Sequence, residues 1–437
     1  MKYESIRMAR FAAVALVSLV CAMPMAARAQ ASAGTGKVVT DFGIVDTGAR
    51  AVALQRDGKI VVAGTSRKRL ALARYNLDGS LDTSFGTGGK VTTTIANSRV
   101  GISSVAIEAD GRIVAAGGIS ADVTEPKTSD VAVVRYLSDG TLDASFGKGG
   151  LVTTDFGTSD GASDVAIQGD GRIVIAVTTD QAFAAARYNA DGSLDTRFGT
   201  GGKVVTAFGG FGTAAYALAI QADGRIVLQG EADTAQGGSA FGLVRYQTDG
   251  SLDPTFGVGG KVTTAVTDYI NQGGSVALQG DGRIVVAGMV SERTGTAGSD
   301  FAVLRYNANG SLDTTFGKQG TTRIEFSKDA FDTANAVAVQ GDGRIVVMGE
   351  TFAQNGPNSD FGVARFNTDG SLDPTFGASG KVTTDFGNGY DYGWALAIQG
   401  DGRIVAVGRT DPQQGFPGFA VARYNPNGAL DTTFGGP

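Results

Sequence analysis

Ser275-Val-Ala-Leu-Gln-Gly-Asp-Gly-Arg-Ile-Val285 reads as two short strands joined by a tight turn. Asp281-Gly282 supplies the positive φ values that such hairpins require. Residues 275–279 and 283–288 are therefore predicted to pair antiparallel. The same wording recurs at 51–61, 104–114, 164–174, 217–227, 336–346 and 395–405. Seven copies at a spacing of about 58 residues make this a repeat protein before any single residue is considered.

Working outward from the fifth copy, Lys261-Val-Thr-Thr264 is a further β-branched run. A loop over 265–274 leads to the hairpin, a second loop covers 289–299, and residues 300–307 form another strand before a turn at 308–310. Four antiparallel strands per copy make one sheet. The strands read as apolar runs such as Ile284-Val-Val-Ala287 instead of alternating polar and apolar residues, so both faces are predicted to be buried. A radial propeller meets that requirement, because each blade packs between two others. The fold class is all-β: a seven-bladed β-propeller of four-stranded blades.

The ends predict a closed ring. The first copy opens on Gly36-Lys-Val-Val-Thr40 with no preceding Leu-Asp-x-x-Phe-Gly, and the chain ends on Leu430-Asp-Thr-Thr-Phe-Gly435 with no following Lys-Val-Thr-Thr. Each end holds the fragment that the other lacks. The N-terminal strand is expected to join the last three strands and complete the seventh blade, which removes exposed sheet edges.

Residues 1–29 read as a secretory signal, with Lys2, Arg7 and Arg10, an apolar stretch over 11–25, and Ala27-Arg28-Ala29 before a cleavage point at Gln30. The propeller domain is expected over 34–437, and the protein is expected to be exported to the periplasm or beyond. Loss of the leader takes the formal charge from −6 to −9 and removes Cys21, the single cysteine. An acidic mature chain argues against a nucleic-acid partner, and no later segment is long and apolar enough for a membrane helix. The absence of histidine excludes Ser-His-Asp and Cys-His catalysis and imidazole metal sites.

Two further phrases recur. Leu-Asp-x-x-Phe-Gly carries Asp82, Asp143, Asp195, Asp253, Asp313, Asp373 and Asp431, and Arg-Tyr or Arg-Phe carries Arg74, Arg135, Arg187, Arg245, Arg305, Arg365 and Arg423. Repetition in every copy implies the same geometry seven times, whereas one catalytic centre needs asymmetry. A structural role is expected, as Arg–Asp pairs or as Asp bonds to turn amides, with Phe85 and its counterparts packing between blades. No cofactor is expected. The alternative is calcium at the turns, where Asn189, Asp191 and Asp195 offer oxygens, although the spacing is not that of an EF-hand. Gly-x-Gly-Gly-Lys-Val at 86–91 lacks the Ser/Thr and the helix of a phosphate loop and reads as a linking turn.

The Asp-Gly hairpins, the Arg-Tyr to Leu-Asp-x-x-Phe-Gly run and Gly-Lys-Val-Thr-Thr-Asp-Phe-Gly, as at 380–387, together resemble the delta-60 repeat family of bacterial exported proteins. The resemblance spans nearly all of the mature chain. It implies a propeller-like fold and export, and it transfers no catalytic residues, since that family carries no established activity. The sixth copy departs from it with Thr321-Thr-Arg-Ile324, and the first with Arg67-Lys-Arg-Leu70.

Strand direction puts the Asp-Gly turns and the Leu-Asp-x-x-Phe-Gly links on one face of the disc and the variable loops on the other, where unique recognition is expected. The ligand-binding candidates are Tyr390, Asp391, Tyr392, Trp394 and Phe416, with Phe211, Tyr216, Tyr269, Phe331 and Phe352 elsewhere on that face. The functional expectation is a monomeric, non-catalytic binding or scaffold module for a cell-envelope glycan or a protein partner. A glycan-cleaving enzyme is the alternative, using Glu231 and Glu350 with Glu292 nearby, and a purely structural surface protein is another.

Overall fold

In the computed structural model, residues 29–436 are described apart from 32–33, 44–45, 96–97, 122–128, 180, 209–212, 234–237, 268–269, 293–297, 328–329, 353–357, 388 and 413–415. The leader expected over 1–29 thus lies almost entirely outside the described residues, as do Phe211 and Tyr269. The described elements are all β-strands, arranged as seven antiparallel sheets. In the first blade Thr47–Leu54 is innermost, followed by Ile60–Ser66, Arg69–Tyr75 and, outermost, Lys90–Thr93. Innermost strands of successive blades pack against one another around the axis.

One boundary differs from the sequence reading. Lys261–Thr264 does not belong with the copy that it opens; it pairs with Ser239–Tyr246 and forms the outer edge of the fourth blade. Every Lys-Val-Thr-Thr strand is handed back to the preceding sheet in this way. The closure at the termini is the same handover made without chain continuity. Lys37–Thr40 pairs with Gly418–Tyr424, Lys37 opposite Ala422, and the Gly36 N–H donates to the Phe434 carbonyl at 3.1 Å. Ala29–Ala31 adds a fifth strand outside it.

The two middle strands are buried along almost their whole length, as the apolar runs require. The core is accordingly divided into seven layers, each drawing side chains from two adjacent blades. Val38, Val407, Phe419 and Phe434 of the seventh blade pack with Val62, Ala71 and Tyr75 of the first.

The repeated polar residues connect the same neighbours. Arg245 donates through Nε to Asp253 Oδ2 at 2.8 Å. Asp253 Oδ1 accepts from the Thr255 N–H at 3.0 Å and its hydroxyl at 2.7 Å. The Arg245 guanidinium lies 4.5 Å from the centroid of the buried Phe256 ring and reaches the Ala308 carbonyl in the next blade's turn. The other six copies repeat the Arg–Asp pair at 2.7–3.0 Å. A buried carboxylate therefore meets a buried guanidinium within each blade, the ring packs beside them, and the guanidinium's hydrogen bond to the next turn crosses the blade boundary.

Candidate functional site: the central channel

Each innermost strand carries one irregularity at the same place. Pairing with the second strand skips one residue between Ala49 and Ala51, and likewise in the other six blades. The skipped residues are Arg50, Ser103, Ser163, Tyr216, Gly274, Asn335 and Trp394. This is a β-bulge, which re-aims a side chain by adding one unpaired residue. The glycine closing Ile-Val-Val-Ala-Gly makes room for it: a Cβ on Gly349 would fall 1.8 Å from the Thr333 carbonyl oxygen, and one on Gly288 2.1 Å from that of Gln272. Six blades carry glycine there, while the third carries Val177.

All seven bulged residues line one cavity of about 860 Å³ on the axis. The bulge is thus the point where a repeated scaffold turns residues of differing chemistry, from glycine and serine to arginine and tryptophan, toward common space. Trp394 lies under Arg50 of the next blade, whose guanidinium is 4.0 Å from the ring centroid. Asn335 Nδ2 donates to the Gly393 carbonyl at 2.7 Å, which holds the strand carrying the tryptophan. The Tyr216 hydroxyl meets Glu231 Oε2 at 3.3 Å. Arg67, Lys68 and Arg99 join Arg50 on the cavity wall.

Among the described residues, the lining carboxylates are Asp46 and Asp164. Asp46 pairs with Arg409 at 3.0 Å. Asp164 stands where the other copies have Ala or Ser, and it ties three blades together. Oδ1 accepts from the Ser104 hydroxyl at 2.7 Å and the Val165 N–H at 2.8 Å, and Oδ2 accepts from the Leu218 N–H at 2.8 Å. Its importance was visible only as an outlier in a column of small residues.

The sequence candidates are distributed as follows. Trp394 belongs to the innermost strand Tyr390–Ile398 and not to a surface loop, because that strand starts within the segment expected to be a loop and pairs as far as Asp411. Tyr390 and Tyr392 stack, with centroids 6.1 Å apart and planes 11° from parallel; Tyr390 is exposed and Tyr392 is half-buried. Phe416 and Phe331 are exposed on the variable face. Glu231 is buried on the second strand of the fourth blade, Glu350 occupies the matching position in the sixth, and neither lines the cavity. Glu292 pairs with Arg323 at 2.8 Å. In the turn proposed as a calcium alternative, Asp191 Oδ1 accepts from the Ser193 N–H and hydroxyl, and Asn189 presents its amide nitrogen to Ser193.

Asp391 is not an open-face residue. It is fully buried at the junction of blades six and seven, where Oδ2 accepts from the Phe386 N–H at 2.6 Å. Asp360 and Asp385 bring carboxylate oxygens to the same point. Burial first, then the charges of Asp385 and Asp360, push the Asp391 carboxyl up to about 6.

The repeat segments 55–85, 108–146, 168–198, 221–256, 279–316, 340–376 and 399–434 match the family described as a domain of unknown function (DUF5122) beta-propeller. The chain belongs to this family. No curated relative matches it in sequence. Among solved structures, a catalytically inactive virginiamycin B lyase from Staphylococcus aureus with quinupristin is similar at 11% identity and a TM-score of 0.51, over 88% of this chain and 98% of that one. An unknown-function protein from Dyadobacter fermentans has 14% identity, a TM-score of 0.45, and coverage of 73% and 93%. A PL25 ulvan lyase bound to -[GlcA(1-4)Rha3S]- has 13% identity, a TM-score of 0.48, and coverage of 86% and 92%. At these identities the likeness concerns the fold alone.

Proposed function

We propose that this propeller is an exported, non-catalytic binding module that takes an anionic glycan into the mouth of its central channel. One observation carries the reading. In a molecule that otherwise repeats itself, the seven bulged positions hold seven residues of varied chemistry that converge on one cavity. Trp394 offers a face for a sugar ring. Arg50, Arg67, Lys68 and Arg99 concentrate positive charge on one wall of a protein whose net charge is negative, which favours a carboxylate- or sulfate-bearing ligand. The lining carboxylates are already engaged, Asp46 by Arg409 and Asp164 by three donors. That supports binding over carboxylate-based hydrolysis. Export rests on the leader pattern and on the resemblance to delta-60 repeat proteins.

Trp394 is the only tryptophan in the chain, so its fluorescence reports on the channel directly. Titration with acidic oligosaccharides and peptidoglycan fragments is expected to change the emission for at least one charged ligand. Trp394→Ala, followed by calorimetry, and Arg50→Ala are each expected to weaken that ligand about tenfold or more, corresponding to about 1.4 kcal/mol, with unchanged melting temperature. Undiminished binding by both variants would place the ligand elsewhere and overturn the assignment.

A further inference from the structure

The channel cavity is not symmetric about the axis. In blades three to seven its walls, among the described residues, come from the innermost strands, joined by Met289 on the second strand of blade five. Between blades one and two it reaches outward, past Ser120 on Ile113–Ala121 to Ser129 just before Asp130–Tyr136. That is two strand spacings beyond the innermost strand, or about 10 Å. The cause lies in the departure of the first copy. Arg67 and Lys68 alone join Ile60–Ser66 to Arg69–Tyr75, whereas the corresponding connection is 179–182 in blade three and longer still in every other blade. Arg67 takes a left-handed φ of 57°, the conformation on which two-residue hairpin turns are built. Its N–H donates to the Asp46 carbonyl at 2.8 Å, and the Lys68 carbonyl accepts from the Val100 N–H of blade two at 3.3 Å. There Ser98–Ile107 is the longest of the described innermost strands. A low blade thus stands beside a tall one, and the cavity runs out over the step.

We infer, on the reading of the channel as an acidic-glycan site, that its ligand is a polysaccharide chain bound along its length. One ring sits on the axis beside Trp394, and the following rings leave the channel over blade one. The distribution of charge follows that path. The outward arm carries the exposed Arg67 and Arg99 and the half-buried Lys68. In blades three to six the described lining side chains are uncharged except Asp164, whose oxygens accept from three donors. A short glycan would fill the axial space and leave the arm empty. A longer one brings further carboxylates or sulfates to the arm, where guanidinium groups suit either anion. The shortest connection on the variable face therefore sets the direction of exit.

The test compares a disaccharide with an octasaccharide by calorimetry, from polygalacturonate for carboxylate alone and from heparin for sulfate. In at least one series the octasaccharide is expected to bind about tenfold or more tightly than the disaccharide. Part of any such gain is statistical, because a long chain offers more registers, so changes in the arm decide the matter. Arg67→Asn combined with Arg99→Gln should cut the ratio of the two affinities by about fivefold or more; asparagine tolerates the left-handed φ. Replacing Arg67-Lys68 by residues 353–358, the longer connection of blade six, should do the same. Trp394→Ala should weaken both lengths and leave their ratio in place. Melting temperatures check that each variant folds. Equal affinity for the two lengths, or a ratio untouched by both blade-one changes, would overturn the extended path and leave the channel reading standing. Binding by none of the four oligosaccharides would overturn both.

Discussion

Asp332 shows how one side chain can work against the fold that buries it. It is fully buried, its Oδ2 accepts from the Phe326 N–H at 2.8 Å, and burial, followed by the charges of Asp300 and Glu325, raises its carboxyl to about 6. The folded value is above the unfolded one, so the native state holds the proton more tightly. The stability this confers is complete below about pH 4 and is lost as pH rises through about 6. An amide is already accommodated at the matching position of the fifth blade, where Asn271 Oδ1 accepts from the Val266 N–H and Nδ2 donates to the Ser239 carbonyl. Asp332→Asn is therefore expected to stabilise the protein at pH 7.5 by about 1–3 kcal/mol, an advantage that disappears by pH 4. Melting curves across that range check it; a variant less stable than its parent at both ends refutes it.

At the scale of the strand, the departure in the sixth copy has a local explanation. Tyr75, Tyr136, Tyr188, Tyr246 and Tyr424 each hydrogen-bond through the phenol to a threonine on the outermost strand of the preceding blade, at 2.7–2.9 Å. In blade six the tyrosine is Phe366, and the threonine of blade five is Ile324. The two share one apolar cluster, so the hydroxyls are lost together and no polar group is stranded. Ile324→Thr alone is expected to cost about 1–3 kcal/mol, because its hydroxyl would face a phenyl ring. Adding Phe366→Tyr should recover at least half of that loss. Denaturant unfolding of both single variants and the double variant closes the cycle; strictly additive losses would show that the pair does not couple.

For the whole molecule, the decisive contact is the one made without a covalent link. Lys37–Thr40 completes the seventh blade from the opposite end of the chain, and the Val38 side chain enters the layer between blades seven and one. Deleting residues 36–42 would expose the edge at Gly418–Tyr424 and open that layer. The expected result is a lower melting temperature together with self-association, since an unpaired edge recruits another strand. Size-exclusion chromatography and thermal melts test this; a monomer with unchanged melting temperature would refute the closure.

The repeat, its Asp-Gly hairpins, the doubly buried strands and the complementary ends were all legible in the sequence, because each depends on local conformational preference or on a pattern that recurs seven times. The return of Lys261–Thr264 to the preceding blade follows the same rule as the complementary ends, and the strand pairing shows it in the interior blades. The site was less legible, because it arises from departures from the pattern. Trp394 stood out as a lone tryptophan, yet Ser103, Ser163 and Gly274 are ordinary residues that matter only because a bulge turns each toward the same axis. Asp360, Asp385 and Asp391 are likewise separate in sequence and come together only when two blades pack. Periodicity determines which strands form, whereas convergence on an axis or a junction depends on how the closed ring places residues from distant copies side by side.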